Sequence, residues 1–96
     1  MDKVVYLTNL YDYYGELLTE KQKEYFEDYY FNNLTLSEIS ENKKISRNAI
    51  HKSIKEIENK LYSYEETLKL YEKSRQIKEI IKNLDKETKE KIEEII

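Results

Sequence analysis

What most restricts this chain is the near absence of residues that stop a helix. Its 96 residues contain no proline and one glycine. Proline removes a backbone donor and clashes with the preceding turn, and glycine costs a helix interior about 1 kcal/mol against alanine. Without them, helix boundaries have to be set by capping side chains. Those are legible: Thr19 with Gln22, and Thr35 with Glu38, have the spacing of a capping box, in which each side chain answers an orphan amide of the helix start. Ser46 and Asp85 stand as N-caps before two further helices. An all-α fold follows. Its first helix is expected over Lys3 to Tyr14, its second over Glu20 to Phe31 with Asn32-Asn33 ending it.

The stretch from Leu34 to Leu61 organises the rest. Leu34 with Ile39, and Ile45 with Ile50, sit at hydrophobic-staple spacing across two successive helix starts. Asn42-Lys43-Lys44 between them is long enough only for a turn. Two capped helices so joined form a helix-turn-helix, whose second helix enters the DNA major groove. At 3.6 residues per turn, Ile50, Ile54, Ile57 and Leu61 share one face of that second helix. Asn48, His51, Lys52, Lys55 and Asn59 share the opposite face, with Arg47 at its edge in the first turn. Arg47 has the fork to meet guanine, Asn48 the amide to pair with adenine, and Ala49 a methyl to meet thymine. Lys52 and Lys55 suit phosphates, which fix register without reading sequence. Lys43, Lys44, Ser46 and His51 complete the candidate DNA-binding set.

The charge distribution agrees with that assignment. Residues 1–42 hold three lysines and nine acids, 43–60 hold six cations and two acids, and 61–96 hold eight cations and nine acids. The one basic block coincides with the turn and second helix, as a localised electrostatic footprint should. A formal charge of −3 excludes a general nucleic-acid coat, and any DNA binding should be weak off-target and salt-sensitive.

Glu38-Ile39-Ser40-Glu41 followed by Ile45-Ser46-Arg47-Asn48-Ala49-Ile50 resembles the helix-turn-helix of sigma-factor region four. That pattern has Ala where this chain has Ser40, and Gly where it has Lys44. A non-glycine residue at the turn is then expected to hold positive φ at some cost. Adding Tyr11-Asp12-Tyr13-Tyr14-Gly15, Leu17-Leu18-Thr19-Glu20-Lys21-Gln22, Tyr64-Glu65-Glu66 and Leu68-Lys69-Leu70-Tyr71-Glu72, the chain resembles the YlxM family of small bacterial proteins over roughly residues 5–75. The resemblance implies an all-helical, DNA-binding-like regulatory protein associated with the signal recognition particle pathway. It also implies the alternative, an accessory protein that binds the signal recognition particle protein or its RNA instead of DNA.

The heptad-like series Ile50, Ile54, Ile57, Leu61, Tyr64, Leu68, Tyr71 predicts that the reading helix continues from Ser46 to about Lys73, roughly 40 Å long. Val4, Leu7, Tyr11, Tyr14 and Leu18 give the first helix a similar stripe. One copy of the chain is not expected to bury both stripes, which predicts a homodimer; the other possibility is that the first helix folds back on its own chain. Gly15 is expected to stop the first helix in the left-handed conformation. The domain reading is a helix-turn-helix unit with its extended helix over 1–75, then a charged helical segment over 76–96, where Ile77, Ile80, Ile81 and Leu84 start a new stripe ahead of Ile92, Ile95 and Ile96.

The tyrosine-rich segments read as packing rather than base stacking, because the charge around them is acidic. There is no cysteine and one histidine, so neither a zinc site nor a thiol nucleophile is expected, and no cofactor, metal or catalytic residue is assigned. One glycine cannot build a phosphate loop. No apolar run approaches the roughly 20 residues of a membrane helix, and no signal peptide follows Met-Asp-Lys, so a cytoplasmic protein without membrane partners is expected.

Overall fold

Side chains open the helices where the sequence places them. The structure is a computed structural model that describes residues 2–96, and among these it has six α-helices: α1 Lys3–Tyr14, α2 Glu20–Tyr30, α3 Leu36–Lys43, α4 Arg47–Leu68, α5 Leu70–Ile81 and α6 Lys86–Glu93. Asp2 accepts from the amides of Val4 and Val5. Both capping boxes are complete, Thr19 with Gln22 and Thr35 with Glu38. Ser46 accepts from Ala49 N–H and Asp85 from Thr88 N–H. A 3-10 turn over Gly15–Leu17 joins α1 to α2.

α4 is the strut of the fold, and α1, α2 and α3 all pack against it. Its apolar face supplies Ile50, Ile54, Ile57 and Leu61 to one core, which α1 fills with Leu7, Leu10 and Tyr14, α2 with Tyr25 and Phe26, and α3 with Ile39. The aromatics pack as expected. Tyr11 stacks on Phe26 at 4.4 Å between ring centres, and Phe26 on Tyr30 at 4.5 Å. Offset ring pairs of this kind add about 0.5–1.5 kcal/mol beyond the area they bury.

Three expectations are corrected. α1 folds back onto α4 of its own chain, so the two stripes do not need a second copy to cover them. Gly15 is right-handed, with φ −55°; a Cβ there would stand 3.2 Å from the Tyr11 ring, which would have to give by a few tenths of an ångström. The reading helix does not run to Lys73. It ends at Leu68, where Lys69 turns left-handed at φ 55°, and α5 starts at once in a new direction.

α5 has no capping side chain of its own at Lys69. Glu65, buried one turn back, takes that part: Oε1 accepts from Tyr71 N–H at 3.1 Å and Oε2 from Glu72 N–H at 3.0 Å. The Tyr14 hydroxyl of α1 donates to Glu65 Oε1 at 2.6 Å and accepts from Leu70 N–H at 3.0 Å. Tyr71, half-buried, packs its ring on Tyr6 and Tyr13.

Burial, then the bond to Glu65, pushes the Tyr14 hydroxyl up to about 12. In the unfolded chain it ionises near pH 10, so between these values the folded state holds the extra proton. Its contribution is complete below about pH 10 and is lost as the pH rises toward 12. Tyr14→Phe should lower stability by about 1–3 kcal/mol in urea titrations at pH 7 with little change in slope. The variant should also lose part of the wild-type decline above pH 10. A variant as stable as wild type would show that Leu70 and Glu65 find other partners.

Candidate nucleic-acid interface

The turn between α3 and α4 is built by three backbone and side-chain contacts. Lys44 is left-handed at φ 57°, ψ 43°, and its N–H bonds to Ser40 C=O. Ile45 N–H reaches the same carbonyl at 3.2 Å, and the Ser40 hydroxyl donates back to Ile45 C=O. The Ser40 hydroxyl thus closes the turn, a bond that the alanine of the sigma-factor pattern could not make. The positive φ expected of a non-glycine turn residue falls on Lys44.

From that turn α4 presents its first three helical turns outward. Lys44, Ser46, Arg47, Asn48, His51, Lys52 and Lys55 are exposed and Ala49 is half-buried, while Ile50 and Ile54 behind them are buried. Among the described residues, the side chains of Lys44, Arg47, Asn48, His51 and Lys52 make no hydrogen bond or ion pair within the chain. Ser46 spends its lone pair on the Ala49 amide at 3.1 Å, which leaves its O–H free to donate. The N-terminus of α4 adds a partial positive charge at the same end.

Two lysines of the candidate set are engaged. Lys43 is half-buried and paired with Glu24 of α2, a bond that raises its ammonium above the usual lysine range. It is held at the α2–α3 junction. Lys55 lies 3.4 Å from Glu58, a buried carboxylate on its own helix. Glu58 also accepts from the Tyr30 hydroxyl and pairs with Lys3 of α1 at 3.4 Å. Burial, with the bond to Glu58, raises the Tyr30 hydroxyl well above its ordinary value.

Lys3 was not legible as a neighbour of this surface. It is 52 positions from Lys55 in sequence, and only Glu58, which reads as an ordinary solvated glutamate, connects them. Together Lys3 and Lys55 share one carboxylate and retain one unit of positive charge. α3 supplies the exposed acids Glu38 and Glu41 and no exposed lysine within its own span. The surface therefore offers a short cationic and amide ridge along the N-terminal half of α4, with an acidic flank. Such a ridge can hold phosphates with lysines and present Arg47 and Asn48 to base edges. Among the described residues no group of His, Asp and Glu could hold a metal ion, and no helix is long and apolar enough to cross a membrane.

The family model described as "Putative helix-turn-helix protein, YlxM / p13 like" (UPF0122) matches residues 1–96. Curated relatives carry the same family name. A protein of Fusobacterium nucleatum is 44% identical over 100% of this chain and 94% of its own length. One from Oceanobacillus iheyensis is 43% identical over 95% of this chain and 87% of its own. One from Malacoplasma penetrans is 49% identical over 78% of this chain and 70% of its own.

Left-handed geometry costs an L-residue roughly 1–2 kcal/mol, part of which glycine returns as extra freedom in the unfolded chain. Lys44→Gly should therefore raise stability by about 0.5–1 kcal/mol, read as a higher urea midpoint. A lower midpoint would mean that the lysine stem supports the turn by packing.

Proposed function

The chain belongs to the UPF0122 family of YlxM / p13-like helix-turn-helix proteins, and from that premise we propose that it is a regulatory protein that reads double-stranded DNA with α4. The observation that carries the reading is the division of this helix. Arg47, Asn48 and Lys52 project without partners while Ile50, Ile54 and Ile57 behind them are buried. A reading helix has to be anchored on one side and unengaged on the other.

In this reading the first turns of α4 lie in the major groove. Arg47 takes the O6 and N7 acceptors of a guanine, Asn48 the N6 and N7 edge of an adenine, and the Ala49 methyl packs on a thymine methyl. Lys44, Lys52 and the Ser46 hydroxyl hold phosphates on either side. Lys55 and Lys3 add their one residual charge further along. With so few phosphate contacts per chain, log affinity should fall with log salt by only about 0.9 per contact. The acidic first 42 residues keep non-specific binding low.

The competing reading is an accessory role at the signal recognition particle. RNA helices have a major groove too narrow for α4, so RNA would have to be met by another surface.

Selection from a random duplex pool, followed by anisotropy titrations at several salt concentrations, tests the proposal. Arg47→Ala should cost about 1–3 kcal/mol and relax preference at one base position. Lys52→Ala should weaken all duplexes alike and lower the salt slope by about 0.9. Lys55→Ala should do less than Lys52→Ala, because its ammonium is already shared with Glu58. A wild-type chain that ignores every duplex at low salt overturns the proposal. If it then retains the signal recognition particle protein or RNA, the accessory reading replaces it.

A further inference from the structure

Two cations from different helices share one buried acid beside the ridge. The Nζ atoms of Lys3 and Lys55 both lie 3.4 Å from the same oxygen, Glu58 Oε1. Both lysine side chains are about half exposed, whereas that of Glu58 is buried. The carboxylate therefore sits beneath the pair, and the ammoniums stand between it and solvent. A cleft of about 190 Å³ opens here between the start of α1 and α4, lined by Lys3, His51, Lys55 and Glu58. It has room for a phosphate group.

The cluster continues the ridge. Lys55 follows Lys52 by three residues and His51 by four, so the three share one face of α4. A duplex seated on Arg47, Asn48 and Lys52 presents its backbone to this face, and a phosphate of that backbone is the anion the cleft would meet.

That phosphate has a competitor already in place. Two ammoniums on one carboxylate keep a single positive charge between them, and the attraction of each for its acid is screened by salt far less when the acid is buried. Glu58 is also tied from behind. Its Oε2 accepts from the Tyr30 hydroxyl of α2, which burial keeps protonated. The carboxylate is therefore held under the lysines and does not swing aside when another anion approaches.

We propose that Glu58 is a fixed counter-charge that sets the strength of duplex binding: it gathers Lys3 and Lys55 into one phosphate seat and holds that seat at a single positive charge. This rests on the DNA reading above and goes beyond it, because it gives a role in binding to a buried residue that touches no nucleic acid. Attraction to phosphates supplies essentially all of non-specific binding. With the seat restrained, the chain leaves unrelated duplexes readily, and retention depends more on Arg47 and Asn48.

Anisotropy titrations of the full chain with one selected and one unrelated duplex, over a range of salt concentrations, are the test, with circular dichroism on the same samples. Glu58→Gln keeps an acceptor for Tyr30 and removes the charge. It should tighten binding to both duplexes about threefold and steepen the salt slope by up to about 0.9. Added to Lys55→Ala, it should return the double variant to wild-type affinity and slope, a rescue that a purely structural glutamate would not give. Glu66→Gln makes the same change of net charge at an exposed acid two turns further along α4, and should alter the slope much less. Should the Glu58 variants lose helix, Lys3→Ala, at a half-exposed position, should match the loss caused by Lys55→Ala. A Lys3→Ala chain that binds as wild type does overturns the proposal, as does a double variant no tighter than Lys55→Ala alone. A wild type that ignores every duplex is a different result: it removes the DNA reading, and this proposal with it.

Discussion

The carboxylate of Glu65 joins three helices, and the path of the chain after α4 depends on it. Lys69 leaves α4 in a left-handed conformation, so α5 begins with no capping side chain and with amides pointing inward. Glu65 takes two of those amides and the Tyr14 hydroxyl takes the third. A buried carboxylate without partners costs several kcal/mol. Here it meets three donors, one of them the Tyr14 hydroxyl, at the positive end of a helix, which is the environment a carboxylate prefers. Because Tyr14 belongs to α1, the same bonds fix where the first helix lies along α4.

Glu58 repeats the device two turns earlier. It is seven residues from Glu65, on the same side of α4, and it too is buried beneath a tyrosine hydroxyl, that of Tyr30 from α2. Its further partners are cations, Lys3 and Lys55, rather than amides. The two carboxylates therefore bind α1 and α2 to one strut, and Glu58 also sets the limit of the basic ridge by holding Lys55 at its edge. Arg47 and Asn48, nearer the turn, have no acid of α4 within a helical turn, and Lys52, four residues before the exposed Glu56, makes no ion pair with it. α4 is thus structural along its inner side and unengaged at its outer N-terminal end.

Local signals were legible and long-range ones were not. Thr19, Thr35, Ser46 and Asp85 set helix starts through bonds to amides three residues away, which spacing alone reveals. The inward face of the reading helix followed from its 3.6-residue period, and the left-handed turn residue from the place Lys44 occupies in a helix-turn-helix. The burial of Glu58 and Glu65 could not be read, because a carboxylate in a helix is ordinarily solvated and the tyrosines that cover them lie 28 and 51 residues away. The same blindness hid Lys3 from the candidate interface. Gly15 was assigned the commonest role of a glycine after a helix, whereas it is right-handed and lies close against the ring of Tyr11 one turn earlier.

The heptad series through Leu68 and Tyr71 argued for an unbroken helix, and magnitudes explain why the chain breaks instead. A straight α4 would avoid one left-handed lysine, worth roughly 1–2 kcal/mol. Bending at Lys69 brings Tyr71 against α1. Its ring centre then lies 5.7 Å from that of Tyr6 and 5.9 Å from that of Tyr13, and its hydroxyl accepts from the Asn9 side chain at 3.2 Å. Two ring contacts are worth about 0.5–1.5 kcal/mol each, and a charged carboxylate taking two amides about 1.5–3 kcal/mol per bond. The bend also gives Glu65 the amides of Tyr71 and Glu72, which a continuing helix would commit to its own carbonyls. Leu68, the last seam residue, is left 43% exposed by the same choice. A repeating apolar period specifies a face but cannot specify how far the helix continues; that was decided by one glutamate with three donors waiting for it.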